Sequence, residues 1–208
     1  MNPKELRFEV EFLTPHAVAQ QAAIPGSALK GMMLDAARDL GPDTQWKLLR
    51  AVFGGHEHDI ARAPANDYEG DSSITAGPTL SSPWSWSDIV WPGAKTPVRE
   101  RRSRIRIDET TGTALDGALV AVNEFTASKG TFTIEQIGPI PGQFNPLGLS
   151  LEDHVTVLEA AARTMTALGS DRRRGLGWVA VGLAGDAPPP AELAEAFQTL
   201  LKRIGAVQ

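Results

Sequence analysis

The sequence predicts an α+β fold, with helices packed on one face of an antiparallel sheet. Three observations predict it. In "ELRFEVEFLT", apolar Leu6, Phe8, Val10 and Phe12 alternate with charged Arg7, Glu9 and Glu11, the period of a half-buried strand. Soon after it, Leu29, Met32, Met33, Ala36, Ala37 and Leu40 recur at helical spacing. A further strand, a long helix and a last strand follow late in the chain. The skeleton is therefore strand–helix–strand … strand–helix–strand, that of a ferredoxin-like unit carrying insertions.

The elements follow in order. Pro15 ends the first strand. In "IPGSALKGMMLDAARDL", Pro-Gly stops what comes before, Ser27 is expected to cap the helix, and Lys30 falls in its first turn. A helix start already carries partial positive charge, so a cation there asks for a nearby anion. Gly41-Pro42 closes this helix, and Asp43 is expected to cap a short second one, "TQWKLLRAVF", which stops at Gly54-Gly55. Residues 54–82 are polar, turn-rich and aperiodic, an irregular insertion. "PWSWSDIVW" alternates as a strand, and "WPGAKTPVRERR" reads as a loop. Ile105 and Ile107 alternate with Arg104, Arg106 and Asp108. The turn-rich "DETTGTALDG" follows, then the alternating "ALVAVNEF": two strands joined by an extended loop or hairpin. "GTFTIEQIG" supplies another strand.

Ser150 and Asp153 match a capping box at the start of a long helix. Its stripe is Val155, Leu158, Ala161, Ala162, Met165 and Leu168, with Gly169 as the expected cap. "WVAVGLAG" is a strand, and "PPPAELAEAFQTLLKRIG", opened by Pro, is the final helix. A single domain over 1–208 is expected. Its core elements lie in 1–53 and 150–208, the irregular insertion over 54–100, and strands with a hairpin over 101–137.

Composition bounds the function. A chain of 208 residues with 42% hydrophobic content can bury a real core. No run approaches the roughly 20 apolar residues that span a bilayer. "MNPKELRFEV" carries charge where a signal peptide needs an apolar core, and there is no cysteine. A cytoplasmic setting away from membranes is expected. The net charge of −5 hides an asymmetry: "KTPVRERRSRIR" holds six basic residues against one Glu, leaving −10 on the rest of the chain. A second basic cluster, "DRRRG", spans 171–175. Solvated basic loops would satisfy the charge alone; two contacts to a polyanion are the sharper reading.

Several motifs are excluded. "GSALKG" lacks the Gly-Lys-Ser/Thr order of a P-loop. The "GLG" after "DRRR" precedes a strand rather than a helix, so it is no dinucleotide fingerprint. No cofactor is expected. "GGHEHD" sets His56, His58 and Asp59 close together without a distant third ligand, so no metal site is assigned. His16 is a candidate general acid or base, against the plainer expectation of a structural histidine.

Three ordered segments together resemble the RAMP superfamily of CRISPR-associated proteins, in particular the small type III effector subunits that polymerise along a guide RNA. "IPGSALKG" resembles the family's Ile-Pro-Gly-Ser-x-Leu-Lys-Gly motif. "SRIRIDETTGTALDGAL" resembles its Arg-x-x-Ile-Asp-x-x-Thr-Gly-x-Ala-x-x-Gly segment. "LGSDRRRGLGWV" resembles its Gly-rich loop, with Arg174 at the Ser-Arg arginine. The resemblance implies a modified, RRM-like ferredoxin core with inserted lobes. It implies guide-RNA phosphates at Gly26, Ser27 and Lys30, where a helix start and one Lys make a sound anion site. It implies a thumb-like hairpin around 104–117 that enters the guide–target duplex, and a second backbone contact at the Gly-rich loop. Arg102, Arg104 and Arg106, with Arg172, Arg173, Arg174 and Gly175, complete the expected RNA-binding set. Expected partners are guide RNA, target RNA, further CRISPR-associated subunits and several copies of the chain itself.

One departure matters. Target-cleaving members carry a catalytic Asp between the first strand and the Pro-Gly-Ser motif. Here that loop, "TPHAVAQQAA", has no carboxylate. Metal-dependent phosphodiester cleavage needs an acid to hold the ion or orient the attack. A subunit that binds without cutting is expected, and no catalytic residue is assigned. Asp59, Asp67 or Asp71 of the insertion would be the substitutes. A metal-independent guide-processing endoribonuclease using His16 is the alternative, and a subunit capping one end of the complex a third reading.

Overall fold

The computed structural model describes residues 4–17, 23–41, 45–55, 79–94, 97–140, 147–170, 172–185 and 187–205. Strand β1 (Glu5–Phe12) is central. It buries Leu6, Phe8, Val10 and Phe12 and exposes the charged residues between them, as the alternation requires. Helix α1 (Gly26–Arg38) and helix α2 (Trp46–Phe53) follow, then β2 (Trp84–Trp86). Strands β3 (Val98–Arg104) and β4 (Val120–Thr126) come next, then β5 (Lys129–Gln136). Helix α3 (Leu151–Thr164), β6 (Val179–Leu183) and helix α4 (Pro190–Gly205) complete the order.

The main sheet runs β2-β5-β1-β6 with every neighbouring pair antiparallel. β1 and β2 are therefore parallel with β5 between them, and β5 and β6 are parallel with β1 between them. Two βαβ halves interleave, which is the predicted ferredoxin-like plan. Phe8 lies opposite both Phe132 and Leu183, and the Phe8 and Phe132 rings stack at 5.1 Å. One core joins the inward sheet residues to Leu29 and Met33 of α1, Leu49 and Phe53 of α2, Leu158 and Ala161 of α3, and Phe197 of α4. Each large apolar side chain so buried contributes about 1.5–3 kcal/mol. That outweighs an exposed pair such as Arg38–Asp35, worth about 0.5 kcal/mol at most. Among the described residues no helix covers the opposite face, which presents Glu5, Arg7, Glu9, Glu11 and Glu135.

β3 and β4 form a separate two-stranded ribbon, inserted between β2 and β5, with Val98 opposite Thr126 and Arg104 opposite Val120. An Ile107–Ala114 bridge carries the pairing further toward the tip.

Three local expectations are corrected. Ser27 does not cap α1: the cap position is Pro25, with no side-chain bond to the helix. Instead Asp88 Oδ1 accepts from the Gly26 N–H at 2.8 Å, a bond across 62 residues that sequence spacing does not reveal. The "loop" before Arg104 is strand from Val98 onward, because pairing with β4 overrides a run of charges poor in strand formers. Helix α3 ends at Thr164, not at Gly169. Val179 and Leu168 donate to the carbonyls of Thr166 and Gly177 at 2.9 and 2.7 Å, so 166–168 pairs as strand-like backbone with the start of β6. Elsewhere the capping box at Ser150 and Asp153 and the α2 stop at Gly54 stand as expected. Asp43 lies outside the described residues.

Candidate nucleic-acid interface

The sheet register puts one end of the molecule in charge of every predicted segment. β1 finishes at Phe12, opposite the start of β6 at Val179, and Glu11 lies opposite the start of β5 at Lys129. The Gly-rich loop runs directly into β6, and the hairpin runs directly into β5. Past β2, Asp88 reaches the start of α1 and Val90 bridges Thr131 near the same end.

At the helix start, Gly26 is buried under the β2 backbone. A Cβ there would overlap the Trp86 carbonyl oxygen, so only glycine lets the helix approach so closely. Ser27 is exposed. Lys30 lies over the Trp86 ring at 5.3 Å, and partial burial lowers its pKa. Lys30, the fifth helical residue, thus has an internal partner in an aromatic face, while the Asp88 carboxylate answers the positive helix start at Gly26.

The hairpin carries the first basic cluster. Its first strand, β3, is exposed on nearly every position. In β4, Phe125 is buried at the root, and the buried carboxylate of Glu124 is held by Arg102 at 3.0 Å and Arg104 at 3.2 Å. Those two guanidiniums are partly spent on an internal charge. Arg99 donates to Asn123 at 3.0 Å, and Arg106 makes no ion pair among the described residues. At the tip, Asp108 accepts from the Thr111 and Thr110 N–H groups and the Thr111 hydroxyl, which together lower its pKa and close the turn.

Arg172–Arg174 form a single 3-10 turn in the Gly-rich loop, and Gly175 donates back to the Arg172 carbonyl. Arg172 and Arg174 are exposed; the Arg173 side chain lies outside the described set. Gly177 has φ 68°, and a Cβ on it would overlap the Leu168 carbonyl oxygen, so this glycine is required twice over.

What joins these parts is the segment just past β1. Leu13 and Pro15 bond to Trp178 and Gly177, and Ala17 accepts from Ser170 at 2.6 Å. His16 exchanges both backbone hydrogen bonds with Phe125 at the hairpin root. Met32 of α1 accepts from the Gly169 N–H through its sulfur at 3.4 Å. Loop and hairpin are therefore fastened to one short linker, and helix α1 to the loop. The His16 ring has no solvent exposure and packs among Phe12, Trp91 and Phe125. The ring thus sits in an aromatic packing environment.

Among the described residues no group of three His, Asp or Glu is arranged to hold a metal. His56, His58, Asp59, Asp67 and Asp71 lie outside them. Nor is any described helix long and apolar enough to cross a membrane. Two residues at this end were not singled out from the sequence. Asp88 was hidden by its distance in the chain. Trp178 was legible, since Val179 and Val181 point inward and leave 178 on the outward side of the alternation. A family model described as the RAMP superfamily matches residues 6–180, most of the chain. No curated protein matches it.

Proposed function

The chain belongs to the RAMP superfamily of CRISPR-associated proteins, and on that premise we propose that it is an RNA-binding backbone subunit of a type III-like CRISPR ribonucleoprotein. In this reading it holds the guide RNA and the guide–target duplex and does not itself cut at the loop after β1. Its partners are guide RNA, target RNA, other subunits and further copies of the chain in a filament, in the cytoplasm. The supporting observation is the shared end of the sheet: the helix start with Lys30, the Arg106-bearing hairpin and the Arg172–Arg174 turn all issue from it. Three cationic features on one rim form a track for a polyanion, while the open sheet face repels one through Glu5, Glu9, Glu11 and Glu135.

The test is binding of labelled single-stranded RNA across a salt series. Sequence-independent affinity is expected, falling by about 0.7 log units per phosphate contact for each log unit of salt. Lys30→Glu and Arg174→Glu each weaken binding in chains that still unfold cooperatively. Normal affinity and salt slope in both variants would refute the assigned track. Cleavage of target RNA at regular intervals, abolished by substituting a residue of this chain, would refute the non-cutting part.

A further inference from the structure

Beside the Arg172–Arg174 turn lies a cavity of about 970 Å³, lined by Leu13, Ser170, Arg172, Arg174 and Trp178 among others. That volume is at the upper end of those that enclose a drug-sized ligand, the size of a nucleotide. Its chemistry is mixed in an informative way. Trp178 is 53% exposed and Leu13 61% exposed, yet the backbone beneath both is fixed. Leu13 N donates to the Trp178 carbonyl at 2.8 Å, Trp178 N donates to Thr14 Oγ1 at 2.9 Å, and Ala167 bridges Trp178 from the other side. A large exposed aromatic surface on a hydrogen-bonded backbone, two guanidinium-bearing residues beside it, and an apolar neighbour match what an unpaired nucleotide presents: a flat base and a charged phosphate.

We propose that Trp178 is the stacking platform of a single-nucleotide subsite, with the base on the indole and Leu13 and the flanking phosphates on Arg172 and Arg174. This deepens the RNA-binding reading and rests on it. It adds a non-electrostatic part to a contact otherwise made of charge. Position 178 continues the outward series of Ala180 and Gly182, so the base lies at the rim of the open sheet face, above its acidic stretch.

The two kinds of contact separate in one experiment. The full chain is titrated with a labelled oligouridylate and with a base-free ribose-phosphate oligomer of equal length, each over a salt series. Trp178→Ala is expected to weaken oligouridylate binding roughly tenfold to a hundredfold with the salt slope unchanged. Trp178→Phe recovers most of that loss, because a ring remains. Against the base-free oligomer, wild type and Trp178→Ala bind alike. Arg174→Ala lowers the salt slope by about 0.7 for both oligomers. Trp178→Ala that binds oligouridylate like wild type overturns the subsite while leaving RNA binding intact. So does a loss that is equal for both oligomers. A Trp178→Ala chain that binds RNA normally but no longer associates with further copies of itself makes this surface a protein seat, and also overturns it. Wild-type chain that binds neither oligomer removes the RNA-binding reading and the subsite together.

Discussion

His16 and Phe125, 109 positions apart, are paired residues: each N–H donates to the other's carbonyl, at 2.9 and 2.8 Å, and their rings pack with centroids 5.9 Å apart. This single pairing roots the hairpin on the linker that also carries the Gly-rich loop.

Truncating that fully buried ring leaves a cavity among Phe12, Trp91 and Phe125. His16→Ala is expected to lower stability by about 2–4 kcal/mol. Amide exchange at Phe125 should accelerate more than at Phe132 in the main sheet. Equal protection at both sites would contradict the rooting role.

The helix start separates its true cap from its apparent one. Asp88→Ala removes the carboxylate bonded to Gly26 and should cost about 1 kcal/mol in urea unfolding. Ser27→Ala, on an exposed position without a capping bond, should stay within about 0.5 kcal/mol of wild type. The reverse order would restore Ser27 as the cap.

In the hairpin, Arg104 and Arg106 are expected to behave differently. Arg104→Ala leaves the buried Glu124 carboxylate with Arg102 alone, and should destabilise by about 1–2 kcal/mol. Arg106→Ala should leave the melting temperature unchanged and reduce the RNA salt slope by about 0.7. Melting curves and salt titrations of the two variants decide it.

Gly177→Ala combines a left-handed backbone with overlap of the Leu168 carbonyl oxygen. A loss of more than about 2 kcal/mol is expected, concentrated in the Gly-rich loop. Urea unfolding measures it, with Gly175→Ala, which meets no neighbouring atom, as the milder comparison.

His154 ties stability to pH. Burial pushes its imidazole pKa down to about 4, against an opposing pull from Asp153, and its Nδ1 accepts from Trp84 Nε1 at 3.1 Å. The unfolded chain takes up this proton near 6.5 and the folded chain only near 4. Between those values the unfolded state binds more protons, so stability falls as pH drops through the window, by about 3 kcal/mol in all. His154→Gln, which keeps an acceptor for Trp84, should flatten that part of the profile. Asp153 titrates lower: burial opposes its carboxylate, but the Ser150 bonds and Arg203 outweigh it and hold its pKa down.

Most of the architecture is written in local periodicity. The alternation of Leu6, Phe8, Val10 and Phe12, the stripe of Leu29, Met33 and Ala37, and the Ser150 capping box each state their element within a few residues, because side-chain direction is set by backbone geometry. The basic clusters and the three family-like segments were equally legible as strings. What they had in common was not. Asp88 on the Gly26 N–H, Arg102 and Arg104 on Glu124, Lys30 over Trp86 and His16 against Phe125 all join residues 20 or more positions apart. Only the register of β1 with β5 and β6 decides that helix, hairpin and loop share one rim, since strand pairing rather than local propensity sets which chain ends meet.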